Sequence, residues 1–344
     1  MDTIRLTIDG QAVTAVPGSS VLDAALAHGI YVPHLCHHPD LKPVGACRLC
    51  GVEIGGRTVM SCVTPVAAGL DVRTSTPALD AARRTVMDLL LAKHHQDCLH
   101  CSAGVDCELL RIAGHIGLRG SRLGPPLQPA PRLPIDDSNP FFTFDPNKCI
   151  LCGICVRTCQ EIVGLGALGL SNRGYETRVS LFGDGTFAGS VCESCGECVS
   201  RCPVGALAPK RSERPSHEIQ TTCVYCGVGC GIYLGVKGNR IVSVRGDRER
   251  PTNEGSLCVK GRYGFNFINH PDRLRAPLIK RNGQFVEASW DEALDLVAQK
   301  FATRKGAKFA ALASAKCTNE DNYVIQKLTR AVMQTNTVDH CARL

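Results

Sequence analysis

Cys149-Ile150-Leu151-Cys152-Gly153-Ile154-Cys155-Val156-Arg157-Thr158-Cys159 is answered further along by Cys192-Glu193-Ser194-Cys195-Gly196-Glu197-Cys198-Val199-Ser200-Arg201-Cys202-Pro203. Both runs space their cysteines by two, two and three residues, so the chain carries an internal repeat built on sulfur. Working outward, the 344 residues hold 21 cysteines and only 5% aromatics. That composition leaves a disulfide scaffold, zinc sites or iron–sulfur clusters as explanations. Disulfide-dense chains are short and secreted. Here Met1 leads straight into the amphipathic Ile4-Arg5-Leu6-Thr7-Ile8, with no apolar signal segment, no early twin-arginine and no membrane-length apolar run. The expectation is a cytoplasmic protein whose reduced cysteines are metal ligands.

The repeated run resembles the bacterial two-cluster ferredoxins, in which the fourth cysteine of each run ligates the other cluster. The resemblance implies one [4Fe–4S] cluster on Cys149, Cys152, Cys155 and Cys202, and a second on Cys192, Cys195, Cys198 and Cys159. Gln160 stands where proline is usual, which loosens the turn and removes no ligand.

Toward the N-terminus the reading is a small β-rich domain. Ile4, Leu6 and Ile8 alternate, Asp9-Gly10 supplies a hairpin turn, Ala12 to Val16 returns, and Ser20 caps a helix from Val21 to about His28. Cys36, Cys47, Cys50 and Cys62 then offer a [2Fe–2S] ligand set, with the tight Cys47/Cys50 pair clasping one side. This spacing departs from the plant type. It resembles the N-terminal [2Fe–2S] domain of the respiratory complex I large subunit, and zinc is the alternative. From Leu79 a helical pattern through Met87, Leu90 and Leu91 delivers His94 before Cys98, Cys101 and Cys107, with His95 a bystander. This resembles the [4Fe–4S] site with one histidine and three cysteine ligands of complex I, iron-only hydrogenases and some formate dehydrogenases. Residues 112–140 are rich in Gly, Pro and Arg and read as a connecting arm.

Beyond a charged linker, Lys210 to Glu218, come Cys223, Cys226, Cys230 and Cys258-Val259-Lys260-Gly261. These resemble the N-terminal [4Fe–4S] domain of molybdopterin oxidoreductases of the dimethyl-sulfoxide-reductase type. The resemblance places Lys260 between cluster and pterin, as an electron relay; the plain alternative is a solvated lysine, and for the four cysteines a zinc ribbon. Nineteen cysteines are thereby used, leaving Cys317 and Cys341. The sequence then opens an α/β domain: a helix from Ser289 to about Phe301, an apolar strand Lys308 to Ser314, and a polar turn before a helix Asp321 to Met333. A strand–loop–helix unit is where such folds hold phosphates and dinucleotides.

The run Ala315-Lys316-Cys317-Thr318-Asn319-Glu320, with Asn322-Tyr323 and Thr335 to Leu344, resembles the catalytic subunit of cytoplasmic molybdenum- or tungsten-dependent formate dehydrogenases. The resemblance implies oxidation of formate to CO2 at a bis-molybdopterin guanine dinucleotide in the full-length protein. Electrons would leave through five clusters to a flavin- and NAD-binding or hydrogenase partner. In that family Cys-Ala-Arg-x precedes the metal ligand, a cysteine or selenocysteine. An in-frame UGA selenocysteine codon is therefore expected after Leu344, and residues 1–344 by themselves are expected to transfer electrons without oxidising formate. Cys341 falls four positions before that ligand and is read as packing; Cys317 is read as structural. The alternative is a non-catalytic electron-transfer subunit of a hydrogenase or complex I-like assembly, and a second is the same class acting on nitrate.

The expected fold class is a multidomain α+β chain. Its domains are a β-grasp [2Fe–2S] domain (1–78), the histidine-ligated [4Fe–4S] domain (79–118), a linker (119–140), the two-[4Fe–4S] ferredoxin domain (141–210), the molybdopterin-oxidoreductase [4Fe–4S] domain (216–272) and the start of a molybdopterin domain (273–344). The formal charge of +7 does not point to nucleic acid, because Lys and Arg are scattered. Four all-thiolate clusters at about −2 and one at about −1 would take it to roughly −2.

Overall fold

A computed structural model describes residues 3–94, 97–123, 133–183, 185–211, 213–315 and 317–340. It divides into two units, Met1–Arg211 and Ser212–Leu344. His95, Lys316 and Cys341 to Leu344 lie outside the described residues. No helix among the described residues is long and apolar enough to cross a membrane.

The first unit begins with the expected hairpin. β1 (Ile4–Ile8) pairs antiparallel with β2 (Gln11–Ala15), and the turn uses left-handed Asp9 and Gly10. Ser20 caps α1 (Val21–Ala27) through a capping box with Asp23. β3 (Gly51–Ile54), β4 (Arg57–Met60) and β5 (Asp71–Arg73) complete a mixed sheet of order β2-β1-β5-β3-β4, with β1 and β5 parallel. α1 packs on this sheet, the β-grasp arrangement. Leu6, Ile8, Val21, Leu22 and Val52 form its core, and Cys50 and Cys62 are buried within it.

α2 (Pro77–Lys93) is capped by Thr76, and its inner stripe is Leu79, Arg83, Met87 and Leu91. His94 ends it, its N–H closing on Leu90 O. α3 (Glu108–Ile116) starts at Cys107 and stops at left-handed Gly117.

The repeat folds as a repeat. β6 (Phe142–Phe144) pairs with β9 (Leu207–Pro209), bringing the ends of the domain together. α4 (Ile154–Arg157), which runs on as a π-turn over Thr158–Ile162, matches α5 (Glu197–Ser200). β7 (Leu168–Ser171) and β8 (Arg178–Leu181) form a hairpin between them. The expected arm is shorter than the sequence suggested. Within it, Asp136 bridges to Phe144, its carboxylate accepts from Phe187 N–H, and buried Asn139 donates to Ser194 Oγ. Residues 133–140 are thus bound into the ferredoxin domain by polar side chains that composition had counted as loop formers.

In the second unit β10 (His217–Thr222), β11 (Gly231–Lys237) and β12 (Arg240–Gly246) make an antiparallel sheet, followed by α6 (Val259–Tyr263). β13 (Leu278–Arg281) and β14 (Gln284–Glu287) form a hairpin, and Ser289 caps α7 (Trp290–Ala302). The expected strand contracts to β15 (Ala311–Ala313), since Gly306–Lys308 is a 3-10 turn. Thr318 caps α8 (Asn319–Lys327), which continues as a π-turn to Val332. β16 (Val338–His340) then pairs parallel with β15, closing a βαβ unit.

Candidate metal centres

The four cysteines of the β-grasp domain stand in two pairs. Cys50 Sγ lies 3.3 Å from Cys62 Sγ, and the Cys36 and Cys47 thiols share a hydrogen bond. The sequence spacing had set Cys47 and Cys50 together on one side; the fold instead partners each with a distant cysteine. The loop between them turns through left-handed Arg48. Two thiolates for each of two irons is the donor arrangement a [2Fe–2S] cluster takes. Backbone amides complete it: Leu35 N–H donates to Cys47 Sγ and Cys47 N–H to Cys36 Sγ, both at 3.4 Å. Hydrogen bonding within each pair lowers the pKa of Cys47 and Cys50 and raises that of Cys36 and Cys62. A metal bound between such thiols displaces their protons.

Behind Cys50 sits Arg83, 5% exposed. Its guanidinium donates to Leu49 O at 3.2 Å and Gly51 O at 2.7 Å, and pairs with Asp80 at 3.2 Å. It fixes the Cys50 loop to α2. Sequence reasoning passed over it, though a charged residue on the apolar stripe Leu79–Arg83–Met87 was a visible signal.

In the ferredoxin domain the two halves match at the turns between their first and second cysteines. Leu151 and Ser194 adopt left-handed φ of 55° and 57°, which turns their N–H groups onto Cys149 Sγ and Cys192 Sγ at 3.4 Å. Burial pushes Cys149 up to about 11 and Cys152 up to about 12, and Cys155 well above the ordinary thiol range; Cys202 adds to each. Burial likewise raises Cys192 and Cys198, where Cys195 and Cys159 are among the neighbours that add to it. Cys202 is thus a neighbour of Cys149, Cys152 and Cys155, and Cys159 a neighbour of Cys192 and Cys198, while Cys198 also acts on Cys155. Such buried thiols ionise when a cation replaces their protons. Ala167 N–H donates to Cys159 Sγ at 3.2 Å.

Burial raises Cys107, and Cys101 and Cys98 add to that rise. Gly205, three residues after Cys202, is open to them: a Cβ there would lie 2.5 Å from Cys101 Sγ. Glu108 N–H bonds to Pro203 O at 2.9 Å, and Cys107 adds to the raised pKa of Cys202, whose first cause is burial. Lys93, beside His94, donates to Tyr175 O and its charge opposes the rise at Cys149.

In the second unit Cys223 and Cys230 are raised by burial and then by their neighbours, Cys226 and Cys258 among them. Cys223 N–H bonds to Cys230 O at 2.8 Å, closing the loop. Cys258 precedes α6, on which Lys260 is exposed. Gly227 N–H reaches Ala315 O at 3.4 Å, so the loop of Cys226 lies against the loop that follows β15.

Among the described residues no three His, Cys, Asp or Glu side chains gather as ligands of a single ion. Paired or grouped thiols with backbone N–H donors fit polynuclear iron–sulfur clusters. Fold and donor sets together define an iron–sulfur protein of the electron-transfer class.

Family comparison agrees. Residues 1–77 match the 2Fe-2S iron-sulfur cluster binding domain, 83–122 the NADH-ubiquinone oxidoreductase-G iron-sulfur binding region, and 139–208 the ferredoxin-like domain of NADH-quinone oxidoreductase subunit 3. Residues 216–270 match the molybdopterin oxidoreductase Fe4S4 domain and 273–344 the molybdopterin oxidoreductase domain. Over 99% of this chain, a G-type NADH-quinone oxidoreductase subunit of Rhizobium meliloti is 40% identical, the NADPH-Fe(3+) oxidoreductase alpha subunit of Geobacter sulfurreducens 38%, and a provisionally named formate dehydrogenase of Bacillus subtilis 33%. The chain spans 40% of the length of each of these relatives. A crystal structure of NAD+-reducing [NiFe]-hydrogenase contains a chain 38% identical, with a TM-score of 0.56, over 60% of this chain and 87% of that one. The chain thus carries the [2Fe–2S] and [4Fe–4S] cluster-binding domains seen in NADH-quinone oxidoreductase G-like proteins, followed by the start of a molybdopterin oxidoreductase domain.

Proposed function

We propose that this chain is the electron-transfer portion of a molybdopterin-dependent formate dehydrogenase, holding one [2Fe–2S] and four [4Fe–4S] clusters. The [2Fe–2S] ligands are Cys36, Cys47, Cys50 and Cys62. The [4Fe–4S] ligands are His94 with Cys98, Cys101 and Cys107; Cys149, Cys152, Cys155 and Cys202; Cys192, Cys195, Cys198 and Cys159; and Cys223, Cys226, Cys230 and Cys258. Each cluster, when bound, takes up and releases single electrons. The protein orients the donors, supplies amide hydrogen bonds to sulfur and keeps most thiols buried or half-buried. Direction comes from the second unit, where the Cys226 loop touches the loop after β15, the strand–loop–helix position suited to a pterin phosphate. Lys260 is the relay on that side. At the other end the acceptor is a flavin- and NAD-binding or hydrogenase subunit.

The observation that supports this reading best is the spacing of nineteen cysteines in five groups along the sequence. Formate as substrate is supported by the Ala315–Glu320 and Val338–Leu344 runs and by the similarity to the Bacillus subtilis protein. A second reading, a non-catalytic electron-transfer subunit, is favoured by the likeness to the hydrogenase chain. Purified full-length protein distinguishes them. About 18 irons per chain and no zinc are expected, with cluster bleaching by formate. Bleaching by NADH or H2 but not by formate would select the second reading; zinc in place of iron would overturn both.

A further inference from the structure

Arg157 ends α4, two residues after Cys155 and two before Cys159. Its side chain leaves the ferredoxin domain and reaches the β-grasp loop, where Nη1 donates to Lys42 O at 2.7 Å and Nη2 to Cys36 O. One turn on, Glu161 accepts from Lys42 N–H at 3.0 Å. The second half of the repeat reaches the same loop, through Arg201 to Asp40 at 2.9 Å. The two arginines differ in charge balance. Arg201 is neutralised by Asp40 and by buried Glu197. Arg157 donates to backbone carbonyls; among the described residues no carboxylate forms an ion pair with it, and its Nε is buried without a hydrogen-bond partner. Its guanidinium thus bonds the backbone of one ligand loop while its own helix carries Cys155.

We propose that Arg157 is a tuning charge shared by two centres, the one on Cys36, Cys47, Cys50 and Cys62 and the one on Cys149, Cys152, Cys155 and Cys202. This rests on the cluster reading above. A half-buried cation without a counter-ion favours the more negative, reduced state of any redox group beside it. Standing between two such groups, it raises the electron affinity of both while its hydrogen bond to Cys36 O holds them in fixed register. No bond forms or breaks; Arg157 is a positioning residue.

The test is a redox titration of the cluster-loaded full chain, followed by EPR, in Arg157→Gln and Arg157→Lys. In the glutamine variant the equilibrium constant for electron uptake should fall about tenfold at each of the two centres, which for one electron is about 59 mV. The lysine variant should keep most of the wild-type affinity. The Cys192 and Cys223 centres should not move, which also reports an intact fold. Arg157→Met, which keeps the apolar stem, replaces the glutamine variant if that loses iron. A shift at one centre only, at neither, or equally large in Arg157→Lys would overturn the proposal. Wild-type protein lacking the [2Fe–2S] signal or the expected iron would instead overturn the cluster reading, and this inference with it.

Discussion

Replacing Arg83 with methionine removes a buried guanidinium while keeping a stem of similar length. Two carbonyls, Leu49 O and Gly51 O, lose their donor at 3.2 and 2.7 Å. They flank Cys50, whose side chain lies in the β-grasp core, so water cannot replace the lost donor without opening the loop. A buried acceptor left without a partner costs about 1–3 kcal/mol, and two cost about 2–6. Apolar burial of the methionine returns about 1 kcal/mol or more of this. A net loss of about 3 kcal/mol is expected. It should be local to β3 and the Cys50 loop, because Arg83 ties Leu49 and Gly51 to α2. Native-state hydrogen exchange reads it directly: at 1.4 kcal/mol per decade, amides of β3 should exchange roughly 150-fold faster. Arg84→Met, one residue along on the exposed face, is the control and should change little. Acceleration of less than about fivefold, near 1 kcal/mol, or an equal effect in Arg84→Met, would refute the claim that Arg83 secures the Cys50 loop.

Gly205→Ala places a Cβ 2.5 Å from Cys101 Sγ and 3.0 Å from Ser102 Oγ, so Cys101 must move; about four irons per chain should be lost, from the histidine-ligated centre alone. Asp88, buried on α2, has its carboxyl held below the usual value of 3.8 by hydrogen bonds from Arg122, so its stabilising effect is full above that value and fades as pH falls through the depressed one. Asp88→Asn should therefore lower the melting temperature at neutral pH and converge on wild type in strong acid; a constant difference across that range would count against the pair.

Much of the fold was legible because its signals were local. Asp9-Gly10, Ser20 with Asp23, and Ser289 before Trp290 each mark a turn or cap through their own side chains, and the structure uses all of them. The βαβ closure by β16 was not legible, since Val338–His340 is too short to show a period and is held by its partner β15. The cysteine spacings single out the candidate donors, but the pairing of Cys36 with Cys47 and Cys50 with Cys62 is long-range and no spacing reveals it. The amide donors Leu35, Ala167 and Ser194 were equally hidden. A backbone N–H is present on every non-proline residue, and only conformation decides which ones face sulfur.

The same surroundings rank the two ferredoxin-type centres. Cluster potential rises with positive charge nearby and with hydrogen bonds to the sulfurs. Around the Cys149, Cys152, Cys155 and Cys202 set, amides of Leu151 and Ile154 meet Cys149 and Cys152, and those of Leu207, Val204 and Ala206 meet Cys202. Lys93 and Arg157 add positive charge to it. Around the Cys192, Cys195, Cys198 and Cys159 set, the amides of Ser194 and Ala167 contribute, and Glu193 adds a negative charge beside Cys192. The Cys149 set should therefore reduce first in a stepwise titration. Glu193→Gln should narrow the gap by raising the Cys192 set while leaving the other in place. If the centre that Glu193→Gln moves is the one that reduces at the higher potential, local charge and amide donation do not set the order in this domain.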